Sequence, residues 1–163
     1  MALLECQIEI ARPVEEVFDF VADLRTWPRW IINFRVPEAE SPRLAMDSTF
    51  RIDFNWLGQR AVIEYRISEL DRPYRLTWTE APAEAAEPSH PRSITYLFEP
   101  TGGGTRFTSR QEVRPGEAEC FGCDEALFIR TIRRYLDAGL ETLKDLLEHP
   151  PAPPPAEVSC GYP

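Results

Sequence analysis

The sequence predicts an α+β protein in which a curved antiparallel β-sheet wraps around a long C-terminal α-helix, with two short helices after the first strand. Three observations carry that prediction. Between residues 48 and 113, apolar side chains recur at every second position in successive runs, the period of half-buried strands. Residues 120–148 carry an apolar stripe at i, i+3 and i+4 spacing, which marks an amphipathic helix. Residues 13–23 carry a shorter stripe of the same kind.

The first strand is read at residues 3–10, where apolar positions alternate loosely. Pro13 then suits the first position of a helix, since its missing N–H costs nothing there. Glu15 and Glu16 follow in the first turn, where they favour the helix dipole. Val14, Val17, Phe18 and Val21 form the apolar face. A second helical segment covers residues 24–32 and is limited by Pro28, with Asp23 at the junction. Residues 33–43 return to extended chain, and Pro37 and Pro42 confine any strand there to an edge or an irregular one.

The alternating runs come next. Phe50, Ile52, Phe54 and Trp56 form one; Ala61, Ile63, Tyr65 and Ile67 another; Tyr74, Leu76 and Trp78 a third. After a loop rich in Pro, Ala and Glu (81–91) come Ile94, Tyr96 and Phe98, then Phe107, Ser109, Gln111 and Val113. Short connections at Gly58-Gln59, Asp71-Arg72-Pro73 and Thr101-Gly102-Gly103-Gly104 predict an antiparallel meander with one apolar face. Asp53, Asn55, Glu64 and Arg66 fall on the opposite, solvated parity, although a bulge would reverse parity beyond it.

Pro115-Gly116 ends the sheet, and one long helix over 120–148 spans ~40 Å, enough to cross it. Phe128, Ile132, Leu136, Leu140 and Leu143 lie on its apolar stripe, while Arg133 and Arg134 point to solvent. Gly139 within it signals a bend or a close approach. The proline cluster after His149 stops the helix. The expected organisation is one domain at residues 1–149 and a proline-rich, extended or disordered tail at 150–163.

Composition narrows the functional classes. The formal net charge is −9, which argues against nucleic acid and against anionic membranes. No run approaches the ~20 apolar residues of a membrane-spanning helix. The N-terminus has no basic region ahead of an apolar one, so no signal peptide and a cytoplasmic location are expected. Cys6, Cys120, Cys123 and Cys160 are expected as free thiols. Cys120-Phe121-Gly122-Cys123 is a C-x-x-C, but no second pair and no close histidines complete a zinc site, and no βαβ context supports a redox motif. It is read as structural, at a helix start. Gly102-Gly103-Gly104 joins two strands and has no helix after it to receive phosphate. No metal and no cofactor are expected.

The order strand, two short helices, antiparallel strands and long helix resembles the START/Bet v 1-like (SRPBCC) superfamily, the helix-grip fold. Residues Ile10-Ala11-Arg12-Pro13-Val14-Glu15-Glu16-Val17-Phe18-Asp19-Phe20-Val21-Ala22-Asp23, followed by Trp27-Pro28-Arg29-Trp30, look like the opening of its bacterial polyketide cyclase/dehydrase and lipid-transport-like branch. Leu97-Phe98-Glu99-Pro100-Thr101-Gly102-Gly103-Gly104-Thr105 looks like the last hairpin of that branch. The resemblance covers residues ~3–148. It implies the fold far more than the activity, since the superfamily holds lipid carriers, hormone receptors, cyclases, chaperone activators and oxygenase domains.

A bent sheet and one helix do not close tightly everywhere, and apolar cavities are the usual small-molecule sites. The expected wall is aromatic: Trp27, Trp30, Phe34, Phe54, Trp56, Tyr65, Trp78, Tyr96 and Phe107. Each alone reads as ordinary core; as a set they predict a remaining pocket. Ser109 and Gln111 share the apolar parity of their strand and are the best polar lining candidates. The expected partner is a small hydrophobic molecule, lipid- or polyketide-like, that is carried or sensed. Two alternatives stay open: an aromatase/cyclase-like enzyme, for which no inward acid–base pair is visible, and a protein-interaction module.

Overall fold

The alternating runs pair with one another in the order in which they occur along the chain. The computed structural model describes residues 2–33, 35, 38–39, 41–56, 58–81 and 91–152, with only the backbone of Glu38, Phe54 and Trp56. Its strands are β1 (Ala2–Ile10), β2 (Glu38–Ala39), β3 (Thr49–Trp56), β4 (Gln59–Asp71), β5 (Arg75–Glu80), β6 (Ser93–Thr101) and β7 (Gly104–Val113). They form one antiparallel sheet in the order β1-β7-β6-β5-β4-β3-β2. Among the described residues, the extended stretch expected at 33–43 contributes the two-residue edge strand β2.

The predicted parity holds on the concave face. Phe50, Ile52, Tyr65, Ile67, Leu76 and Trp78 are all buried, as are Ile94, Tyr96, Phe98, Phe107, Ser109 and Val113. A bulge in β4 shifts the register between Ile67 and Glu69. Glu69 therefore stays on the outside, where it accepts from the Thr77 hydroxyl at 2.7 Å, and Leu70 returns to the core. Tyr74 departs from the expected pattern. It precedes β5, in the turn closed by its N–H to the Asp71 carbonyl, and is half exposed. The outer-parity charges pair with each other across strands, Asp53 with Arg60 and Glu64 with Arg51.

The helices are α1 (Val14–Val21), α2 (Trp27–Trp30), α3 (Glu117–Cys120) and α4 (Glu125–Glu148), with one 3-10 turn at Leu24–Thr26 before α2. Pro13 sits at the cap of α1, one residue ahead of the expected position. Val14, Val17, Phe18 and Val21 are buried on the expected face of α1. The Asp23 carboxylate caps the 3-10 turn by accepting from the Arg25 N–H at 3.0 Å.

The single helix expected over 120–148 is two. Gly122 takes a left-handed conformation (φ 67°), which an L side chain disfavours and which ends a helix. The Asp124 side chain then accepts from the Leu127 N–H at 2.8 Å and starts α4 anew. Cys120 and Cys123 flank this break rather than opening a helix; they and Cys6 are free thiols. At its far end α4 is tied to the β1–α1 junction. Lys144 donates to the Glu9 carbonyl at 2.7 Å, and the Ala11 N–H donates to Glu148 at 2.8 Å.

Two glycines bring backbones together. A Cβ on Gly104 would collide with the Ile10 carbonyl oxygen, and one on Gly139 would lie 2.8 Å from the Trp30 carbonyl oxygen. Gly139 thus serves close approach of α2 to α4. Among the described residues no helix is long and apolar enough to cross a membrane, and no group of three or more His, Cys, Asp or Glu residues could hold a metal ion. Cys160 and residues 153–163 of the expected tail lie outside the described residues.

Candidate functional site

The concave face is built from rows of side chains that cross neighbouring strands, and successive rows differ in bulk. One row runs Phe98–Phe107–Ile8 over β6, β7 and β1. Phe98 and Phe107 lie with ring centroids 5.1 Å apart, and Phe18 of α1 meets Phe98 at 5.0 Å. This row is solid. The next row, two residues along each strand, runs Tyr96–Ser109–Cys6, and the one beyond it Ile94–Gln111–Leu4. Ser109 is too small to fill the space beneath α4, so the sheet and helix part there, whereas Cys6 on β1 meets α4 through Arg133.

The gap is a cavity of about 90 Å³. Its floor comes from Ile52, Tyr65, Trp78, Tyr96, Ser109 and Gln111; its roof from Phe128, Ile132, Leu136 and Leu140 of α4. Trp30 and Ile31 close one side, and Ile32, 37% exposed, marks where the cavity meets the surface. It is smaller than the roughly 150 Å³ apolar cavity that accommodates benzene. A ligand of several rings therefore enters only if the wall gives, or if one end alone is seated.

One end of the cavity is polar. The end of β5, the start of β6 and the end of β7 meet α3 there, bringing Glu80, Arg92, Arg114 and Glu117 together. Arg92 forms an ion pair with Glu117, whose side chain is only 7% exposed. Glu80 accepts from Arg114 at 3.0 Å and from the Arg92 N–H at 3.2 Å. The Arg114 N–H donates to Glu117 at 3.0 Å. With two arginines and two glutamates the cluster is neutral, which is what permits burying it.

Arg92 also hydrogen-bonds the Tyr65 hydroxyl. Burial raises the Tyr65 phenol above its ordinary pKa, with Arg92 opposing the rise. Burial also raises Tyr96. Both stay protonated at neutral pH. Burial works the other way on Arg92 and lowers it, but a guanidinium keeps its charge in proteins.

Four buried polar atoms have no hydrogen-bond partner among the described residues: Trp30 Nε1, Trp78 Nε1, Arg92 Nε and Ser109 Oγ. All four residues line the cavity. Each such group costs about 1–3 kcal/mol when left unmatched, so their coincidence at one cavity is informative.

Of the residues singled out in the sequence, Trp30, Tyr65, Trp78, Tyr96, Ser109 and Gln111 come together on the wall. Trp27 and Phe107 do not. Both are fully buried in packed core, and Trp27 spends its indole N–H on the Val21 carbonyl at 2.7 Å. Its ring packs among Phe50, Trp78 and Tyr96 at 5.4, 5.2 and 6.4 Å. Phe34 and the side chains of Phe54 and Trp56 lie outside the described residues. Sequence reasoning missed Arg92 and Glu117. Strand parity did not reveal this buried ion pair, which is assembled from the residue before β6 and the start of α3.

The polyketide cyclase / dehydrase and lipid transport family model matches residues 1–148. No curated protein matches the chain significantly. Among solved structures, the chain is similar to the di-domain ARO/CYC BexL from the BE-7585A biosynthetic pathway, at 18% identity and TM-score 0.68, covering 92% of this chain and 51% of that one. It is also similar to protein MLL2253 from Mesorhizobium loti, at 17% identity and TM-score 0.66, covering 92% and 99%. The Aha1 dimer from Colwellia psychrerythraea gives 17% identity and TM-score 0.65, covering 91% and 98%. At these identities the structural likenesses speak for the helix-grip fold alone. The family model spans nearly the whole chain, and the chain belongs to the polyketide cyclase / dehydrase and lipid transport family.

Proposed function

We propose that the chain binds a small hydrophobic molecule, lipid- or polyketide-like, between the sheet and α4, and carries or senses it. The observation that supports this is the cavity itself. It lies within the main core, where a chain able to place Phe98 and Phe107 side by side leaves the small Ser109 in the next row. Trp30, Tyr65, Trp78, Tyr96, Ser109 and Gln111 are the proposed contacts. The limited volume favours seating one end of the ligand, with the rest directed past Ile32.

A second reading is catalytic, a cyclase- or dehydratase-like reaction. It is favoured by the buried Arg92–Glu117 pair and the protonated Tyr65 phenol at the cavity end, groups of the kind that polarise a carbonyl or move a proton. The binding reading stands ahead of it because Glu117 is held by Arg92 and by a backbone N–H, and so is engaged in structure.

Native mass spectrometry of gently purified protein tests the binding reading. The expected result is a discrete excess mass that is lost on unfolding and identifies the ligand class. Protein at its bare mass, with no uptake of added apolar fluorescent probes, would overturn it.

A further inference from the structure

We infer that the molecule seated in this cavity presents an uncharged hydrogen-bond acceptor, a ketone-type carbonyl oxygen, to the indole N–H groups of Trp30 and Trp78 and the hydroxyl of Ser109. The inference rests on the binding reading above and adds the chemistry of the group that is recognised.

An indole nitrogen donates and cannot accept. Trp30 Nε1 and Trp78 Nε1 are buried at the cavity wall with no partner among the described residues, as is Ser109 Oγ. Trp30 is 5%, Trp78 2% and Ser109 2% exposed. Trp27 provides the contrast within the same molecule. It is equally buried one helical turn away, and its N–H is satisfied by the Val21 carbonyl at 2.7 Å. The fold therefore matches an indole donor where the core is solid and leaves two unmatched where it is hollow.

The three residues neighbour one side chain. Trp30 and Trp78 lie with ring centroids 6.1 and 6.0 Å from Tyr96, and Ser109 is the cross-strand partner of Tyr96. All three donors thus belong to residues beside Tyr96 on the cavity wall.

The ionic cluster at the cavity end is internally balanced: Arg92 is paired with Glu117, and Arg114 with Glu80. No uncompensated positive charge among these four residues calls for an anion. A carboxylate entering a mostly apolar cavity would lose its hydration without gaining an unpaired counter-ion, whereas a neutral carbonyl loses far less.

The test uses the full-length protein and three probes of similar size: acetophenone, ethylbenzene and benzoate. Affinities are measured by calorimetry, and the indole N–H signals by nitrogen-15 correlation spectra, assigned with single Trp→Phe variants. Acetophenone is expected to bind about tenfold tighter than ethylbenzene, the gain of one to two neutral hydrogen bonds, and tighter than benzoate at pH 7. The Trp30 or Trp78 indole signal should move downfield with acetophenone and not with ethylbenzene, while that of Trp27 keeps its hydrogen-bonded position. Trp78→Phe and Ser109→Ala should bring acetophenone toward ethylbenzene and leave ethylbenzene unchanged; Ser109→Ala serves alone if the tryptophan variant is unstable.

Equal affinity for acetophenone and ethylbenzene with unmoved indole signals overturns the acceptor assignment and leaves the hydrophobic cavity standing. Tightest binding of benzoate overturns the neutral character of the ligand. Binding of none of the three counts against the cavity reading itself and removes this inference with it.

Discussion

Two adjacent strips of the same concave sheet face end differently. The strip through Phe98, Phe107 and Ile8 is filled by aromatic contact with α1. The strip through Tyr96 and Ser109 is hollow, and its Cys6 end meets α4 through Arg133. Both belong to the same three strands. The chief difference is side-chain volume at one position, Phe107 against Ser109, and the hollow strip borders the cavity where unmatched polar atoms collect. A packed interior gives up contact energy wherever a small residue leaves a gap, and an unmatched buried donor adds to the cost. The hollow strip is the less stable of the two.

Breaking the solid strip should have the largest effect. Phe107→Ala removes a fully buried ring that packs on Phe98 and Tyr96 at 5.1 and 5.2 Å. It is expected to cost about 3–5 kcal/mol, read from urea denaturation. A loss below about 1 kcal/mol would mean the strip is not the packed half of the core.

The same experiment on the hollow strip should reverse sign. Ser109→Val replaces an unpartnered hydroxyl with two methyl groups and fills part of the gap, so stability should rise by about 1 kcal/mol, while uptake of apolar probes falls. A loss of stability would show that Ser109 Oγ is satisfied in solution.

The smallest effect concerns Cys6, on the margin of the hollow strip. Burial, with help from nearby Asp137, raises its thiol from 9.0 to about 11. Between those values the unfolded thiol ionises and the folded one does not, so folding stability should fall as pH rises from 9 to 11. Alkylation at pH 8 should accordingly mark exposed Cys120 well before Cys6. Equal labelling rates in folded protein would show that the strip opens to solvent.

The sequence was most readable where a period governs it. Parity within β7 put Ser109 and Gln111 on the inner face beside Phe107, because a strand turns every second side chain the same way. Strand order and the first helix followed from the same logic. What it did not reveal depends on partners distant in the chain. Trp27 and Trp30 sit on one short helix, and only the positions of Val21 and Gly139 decide that the first is core and the second is wall. Arg92 and Glu117 are 25 residues apart in sequence and have no period to announce them. The break ahead of the long helix is marked locally, by Gly122 and by Asp124 in front of Glu125.

That break separates two kinds of change. Three residues, 121–124 less the cap, join α3 to α4 with no strand register at stake. Loops tolerate insertion and deletion where packed elements do not. Lengthening or shortening this joint moves Glu117 and Phe121 against the cavity while leaving every strand pairing as it is. The shape of the cavity is thus free to diverge among descendants of this scaffold through changes in one short joint, with the aromatic floor inherited intact.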